Sequence, residues 1–144
     1  MHALPEDIEK YKGRYDEGWE KIREARYKKQ IELGLIDPKW KMSPRDAEPW
    51  KDAKNKEWDI RNMEVYAAMI DRLDQGLGNI IGALKKRNIF DNTLIIFTSD
   101  NGPSFLKEVD VEFFESASYL NSSRDRLKGS VNEGGIRVPM IASW

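Results

Sequence analysis

The sequence predicts an α/β fold, mainly long helices with two or three buried strands of a larger sheet. Three observations carry that reading. An apolar stripe at helical spacing runs through residues 51–87, and a β-branched run without alternation occupies Thr93–Thr98. A second apolar run, Val138–Trp144, follows a long polar stretch.

Taken in order, Pro5–Lys12 reads as a short helix with acidic residues in its first turn, where the helix dipole favours them. Gly13 interrupts it. A second helix is expected from about Tyr15 to Leu33, with Tyr15, Trp19 and Ile22 on one face and Gly34 as its stop. Interleaved Glu, Lys and Arg predict that most of its surface is solvated. Residues 35–52 hold Pro38, Pro44 and Pro49 with Trp40 and Trp50, which predicts an irregular connection pinned by aromatic packing.

The long helix places Tyr66, Ile70, Leu73, Leu77, Ile80 and Leu84 at alternating steps of four and three, one continuous apolar face. Gly76, Gly78 and Gly82 each weaken helicity by about 1 kcal/mol relative to Ala. Their clustering predicts a close neighbour against that part of the helix. Asn88–Asn92 supplies the stop and turn. The run Thr93–Thr98 suits a strand buried on both faces, as in a parallel sheet. Residues 104–127 are polar, with a helical turn expected near Val111–Glu115. Two strands do not make a sheet, and an apolar strand such as Leu94–Phe97 needs neighbours on both sides. The chain is therefore expected to be part of something larger, and to self-associate in isolation.

Composition sets hard limits. The chain has 144 residues, enough for one domain of ordinary size. It is 40% hydrophobic and 34% charged, with 24 basic and 25 acidic residues and a net charge of −1. A nucleic-acid partner would demand a basic surplus and is set aside. No apolar run approaches the roughly 20 residues of a membrane span, so no membrane partner is expected. The first residues show no basic-then-apolar leader, so no signal peptide is expected. With no cysteine, disulfides, thiolate catalysis and zinc–thiolate sites are excluded within the chain. His2 is the only histidine, so neither a His-based triad nor a multi-histidine metal site can be built.

Two constellations could carry chemistry. Asp100 and Asn101 fall beyond the carboxyl end of the first strand, where ligands collect in open α/β sheets. A carboxylate beside a side-chain amide oxygen offers hard donors for Ca²⁺ or Mg²⁺, although Asp-Asn-Gly-Pro is also strong turn chemistry. The second is Lys128-Gly-Ser-Val-Asn-Glu133-Gly-Gly-Ile-Arg137-Val-Pro139. Lys128 beside Gly129 could bring an ammonium and open backbone N–H groups to an anion, or form a glycine turn with solvated charges.

Together these blocks resemble the sulfatase family, a branch of the alkaline-phosphatase-like superfamily. The resembling residues are Tyr66-Ala-Ala-Met-Ile-Asp71, Asp74-Gln-Gly-Leu-Gly78, Asp91 through Gly102, Lys128-Gly-Ser and Glu133 through Pro139. Residues 3–46 also look like the charged helical segment of bacterial arylsulfatases, with Tyr11-Lys-Gly and Tyr15-Asp-Glu-Gly-Trp19. The resemblance implies a partial catalytic domain over 1–144, with a charged helical segment and Pro/Trp connection over 1–50 and a helix–strand–loop–strand piece over 51–144. It implies that Asp100 and Asn101 bind one calcium ion and that Lys128 holds the sulfate group. Arg137 reads as a buried ion-pair partner. The substrate class implied is a sulfated small molecule or glycan, and the location periplasmic or secreted.

The family's nucleophile is a formylglycine hydrate made from the Cys or Ser of a C/S-x-P-x-R motif. That motif is absent; in Met42-Ser43-Pro44-Arg45 proline follows serine directly and the spacing is wrong. The formylglycine is expected upstream of this chain, with the family's early aspartates, lysine and histidines. His2 is a poor substitute, since the resemblance places it a few residues after the active-site histidine. The chain alone is expected to be inactive. Two alternatives stand beside this reading. One is a non-catalytic sulfated-glycan-binding module. The other is a phosphatase or phosphonate hydrolase of the same superfamily, disfavoured because no histidine follows residue 2.

Overall fold

The computed structural model describes residues 2–42, 49–102 and 138–144. The elements are α1 (Pro5–Glu9), α2 (Gly18–Glu32), a 3-10 turn at Trp50–Asp52, α3 (Lys56–Lys86), a 3-10 turn at Phe90–Asn92, β1 (Ile95–Thr98) and β2 (Met140–Ser143). None of these helices is long and apolar enough to cross a membrane.

Pro5 opens α1, with Glu6 and Asp7 in its first turn. The helix ends at Glu9, earlier than the sequence suggests, and the chain turns through Gly13 at φ 75°. The Gly13 N–H donates to Glu64 Oε1 at 3.0 Å, and Arg61 Nη1 donates to Glu64 Oε2 at 3.0 Å. This carboxylate ties the turn to α3.

The start of α2 falls at Gly18, later than expected, because that residue adopts φ 82°. The position is glycine for two reasons. A side chain resists that φ, and a β-carbon there would overlap the Trp50 indole. Trp50 meets Trp19 edge to face, with centroids 4.7 Å apart and planes at 78°. The Trp50 backbone N–H donates to both Glu20 carboxylate oxygens, at 3.0 and 3.2 Å. The Lys56 ammonium lies 5.7 Å from the Trp50 ring centroid. Aromatic packing thus pins the connection at Trp50, as expected. Trp40 instead stays exposed, and its carbonyl accepts the Tyr27 hydroxyl. The expected face of α2 is also found: Trp19 is buried and Tyr15 and Ile22 are half-buried. With Trp50, Ile60 and Met63 they line a small apolar cleft, and burial pushes the Tyr15 phenol up.

Both long helices end in the same backbone motif. After α2, Gly34 at φ 69° donates to Ile31 O and Leu35 N–H reaches back to Gln30 O. After α3, Asn88 at φ 58° donates to Lys85 O and Ile89 N–H to Leu84 O. These are Schellman closures, with glycine and asparagine as the two residues that tolerate the left-handed turn.

α3 has 31 residues, a rod of roughly 46 Å. Its predicted apolar face is present but not buried. Ile70, Leu73 and Ile80 are 49%, 52% and 60% exposed, with Tyr66, Leu77 and Leu84 half-buried. The face packed on α1 is offset by two residues, about 200° round the helix, and holds Glu64, Ala68, Asp71, Arg72 and Gln75. The physical reason is what α1 offers. It is one short turn whose buried residues are Asp7 and Ile8, so it recruits charges more than hydrocarbon. The expected close neighbour at Gly76, Gly78 and Gly82 is not found either; among the described residues nothing lies within 4 Å of a β-carbon built there.

The α1–α3 contact centres on Asp7, only 1% exposed. Its Oδ2 accepts Arg72 Nε at 2.8 Å and lies 2.6 Å from Arg72 Nη2. Its Oδ1 accepts Lys10 Nζ at 2.9 Å and Gln75 Nε2 at 3.4 Å. Lys10 Nζ also reaches Asp71 Oδ2 at 2.9 Å, and Gln75 Nε2 donates to Asp71 Oδ1 at 3.0 Å. The Lys10 hydrogen bond, helped by Arg72 and Gln75, holds the Asp7 carboxyl below the usual range against the opposing effect of burial. Gln75 and then Lys10 do the same for Asp71. Asp71, then Asp7, holds Lys10 above its ordinary value.

β1 and β2 pair antiparallel, with Ile95 opposite Ser143 and Thr98 opposite Met140. The expectation of strands buried on both faces is corrected here. Ile96, Phe97, Met140 and Ile141 are exposed. Among the described residues the helices pack on one another and on the 3-10 turns, so no layer covers the strand pair. The larger sheet is therefore not seen in these residues.

Two predictions follow from this packing. Gly18→Ala should destabilise the chain by about 2 kcal/mol in urea denaturation, from a left-handed φ and an overlapping indole. A neutral effect would refute the Gly18–Trp50 packing. The second concerns pH. Asp7 and Asp71 hold protons less tightly when folded, so their stabilisation is complete above the unfolded value, about 4. It is lost as pH falls through the lower folded values. Lys10 is raised, so its contribution is complete below about 10.4 and lost as pH rises through the higher folded value. Melting temperature should plateau between these limits, and Asp7→Asn should flatten the acid limb. An unchanged acid limb in that variant would refute the assignment.

Candidate functional site

The turn Ser99–Gly102 leaves the carboxyl end of β1. Its shape follows from short polar side chains bonding to nearby backbone. Thr98 Oγ1 donates to Pro139 O at 3.1 Å and to Ser99 O at 3.2 Å. Ser99 N–H donates to Pro139 O at 3.4 Å, prolonging the strand pair by one step. Ser99 Oγ donates to Asn101 O at 2.7 Å, and Asn101 Nδ2 donates to Gly102 O at 2.9 Å. Asp100 is exposed, Asn101 half-buried and Gly102 buried.

Asp100 and Asn101 thus stand side by side where the sequence predicts them. The antiparallel register adds something the sequence did not give. Pro139, the last residue of the second motif block, lies against Ser99, so that block enters β2 at the Asp100 end of the strand pair. Lys128, Glu133 and Arg137 themselves lie outside the described residues, as do Val111–Glu115 and Ser43-Pro44-Arg45.

The donor chemistry suits calcium in part. Asp100 offers carboxylate oxygens, and Asn101, whose Nδ2 is engaged by Gly102 O, has its amide oxygen to offer. Calcium takes six to eight oxygens, and these two residues supply at most three. Among the described residues no group of three or more His, Cys, Asp or Glu side chains could hold a metal, and His2 completes none.

The densest ionic group in the described residues is elsewhere, in the Asp7–Lys10–Asp71–Arg72–Gln75 network. Sequence reading did not single it out. Its signal was there in Asp7-x-x-Lys10 and Asp71-x-x-x-Gln75, pairs at helical spacing. Every charge in it has a partner of opposite sign, which marks it as a structural clasp.

Two neighbouring donors predict weak metal binding. Titration of the chain with calcium should give a dissociation constant of about 1 mM or weaker, and Asp100→Ala should abolish what binding there is. Micromolar affinity, or binding indifferent to Asp100, would overturn the assignment.

Comparison with known proteins places these residues in context. The family model described as Sulfatase matches residues 1–144. An uncharacterized sulfatase of Schizosaccharomyces pombe is 34% identical over 176 residues, covering 100% of this chain and 32% of that protein. An arylsulfatase of Klebsiella aerogenes is 30% identical over 139 residues, covering 90% of the chain and 29% of its own length. An N-acetylgalactosamine-6-O-sulfatase of Bacteroides thetaiotaomicron is 32% identical over 88 residues, or 53% of the chain. The chain therefore spans about a third of the length of the first two relatives. With the family match running its whole length and Asp100–Asn101 at the carboxyl end of β1, this chain belongs to the sulfatase family.

Proposed function

We propose that the whole protein hydrolyses sulfate esters, releasing an alcohol or phenol and inorganic sulfate, and that this chain supplies part of the anion-binding half of the site. The match of the Sulfatase family model to residues 1–144 carries the reading. It is supported by the names of the relatives, an arylsulfatase and an N-acetylgalactosamine-6-O-sulfatase among them.

The roles follow from charge. A sulfate ester gathers negative charge on its oxygens and on the leaving oxygen as the S–O bond breaks, so catalysis needs fixed positive charge there. Asp100 and Asn101 would hold a single calcium ion by hard oxygen donors, and the ion when bound supplies that charge as a Lewis acid. Lys128 would place an ammonium on the same anion. The nucleophile, a formylglycine in the resembled family, has no counterpart here. The chain contains no cysteine and no Ser-x-Pro-x-Arg sequence.

The chain alone should therefore turn over no aryl sulfate. Purified chain incubated with a chromogenic aryl sulfate and calcium is expected to match the buffer blank. Turnover that needs metal and disappears in Lys128→Ala would overturn this division of roles. In the whole protein, Asp100→Ala should lower kcat/KM by about 100-fold or more, the scale of losing one preorganised electrostatic contact.

A further inference from the structure

We propose that Asn101–Gly102 is a site of spontaneous deamidation, at which the side-chain amide is exchanged for a carboxylate beside Asp100. The chain has eight asparagines, and Asn101 is the one followed by glycine. That neighbour matters because the reaction is an attack by the next residue's backbone nitrogen on the asparagine Cγ. A side chain at the following position crowds the approach, and glycine has none.

The folded turn keeps the Asn101 amide beside the same peptide. The 2.9 Å hydrogen bond from Asn101 Nδ2 to Gly102 O folds the amide over its own C-terminal peptide. Among the described residues no backbone acceptor is paired with the Gly102 N–H. Asn101 is half-buried and lies outside regular structure, with Ser99 and Asp100 exposed beside it and Gly102 buried. Asparagines in other settings differ. Asn62 and Asn79 lie within α3, whose backbone N–H groups are held in the helix ladder. Asn88 is locked in the Schellman turn and precedes a β-branched isoleucine.

The step balances without an added oxidant or reductant. Gly102 N forms a bond to Asn101 Cγ, the Cγ–Nδ2 bond breaks, and Nδ2 leaves as ammonia carrying the proton lost from Gly102 N. Solvent water then opens the five-membered imide at either carbonyl, leaving aspartate or isoaspartate at position 101. The product adds one negative charge to the turn and, in the isoaspartate form, one extra backbone carbon. Where Asn101 is read as a calcium ligand, which rests on the proposed function, the exchange alters both charge and reach of that donor.

The test is peptide mapping by mass spectrometry of the folded chain after prolonged incubation at mildly alkaline pH, reading amide loss at every asparagine in one digest. Asn101 is expected to lead, with both aspartate and isoaspartate products. In Gly102→Ala the loss should slow roughly tenfold, a barrier rise of about 1.4 kcal/mol. Mapping the unfolded wild-type chain in parallel keeps the comparison valid should that variant fold poorly. The folded chain should react at least as fast as the unfolded one if the turn favours attack. Loss at Asn101 no faster than at Asn62 or Asn79, or strong suppression by folding, would overturn the proposal. Neither result depends on sulfate hydrolysis, so failure here leaves the functional reading untouched.

Discussion

The Asp7 carboxylate is the constraint on which the helical part of the chain depends. It is a charge taken almost wholly out of water, a state tolerated only when donors replace the lost hydration. Four nitrogens do so, two from Arg72 and one each from Lys10 and Gln75. Those donors come from the C-cap of α1 and from α3, more than 60 residues apart in sequence, so satisfying one carboxylate fixes α1 against the middle of α3. Directional bonds also set register, which a contact between two greasy faces would leave loose. With the Glu64 link to Gly13 added, the chain entering α2 is guided along the same face of α3.

The apolar face of α3 tells the complementary story. Tyr66 through Leu84 was the clearest periodic signal in the sequence, and it correctly marked a continuous helix. What periodicity cannot give is the identity of the partner. The face turned to α1 is the charged one, and the hydrocarbon stripe, like the outer faces of β1 and β2, remains uncovered among the described residues. A run of β-branched residues reports that a strand suits burial, not that the burying layer belongs to the same segment. The first two relatives are about three times as long as this chain.

What was legible followed from local chemistry. Gly34 and Asn88 were readable as stops because left-handed closures need them, and Asp100–Asn101 was readable because a polar pair after an apolar strand sits at its carboxyl end. Gly18 was not readable. Its φ of 82° and its stacking under Trp50 depend on a residue 32 positions away. The Asp7 clasp was hidden for the same reason, its carboxylate and its guanidinium being 65 residues apart. The strand pairing was beyond reach because sequence does not give direction. Only the register shows Pro139 returning to Ser99.

That return matters more for function than the burial that was expected and not found. An antiparallel pair brings the end of one strand to the beginning of the next, so Pro139, the last residue of the second motif, returns to Ser99 beside Asp100. The Ser99–Gly102 turn is held by the Ser99 and Asn101 side chains, which bond to backbone within it, and Asp100 stands exposed on it. The same economy has a chemical consequence. On the proposed function the Asn101 amide would offer its oxygen to a cation, and on the proposed deamidation its carbon to the Gly102 nitrogen. A bound ion pulling on the amide oxygen would compete with the hydrogen bond to Gly102 for the orientation of one side chain. If both proposals hold, the balance between ligand and reactant at Asn101 would be set by how the Ser99–Gly102 turn is held.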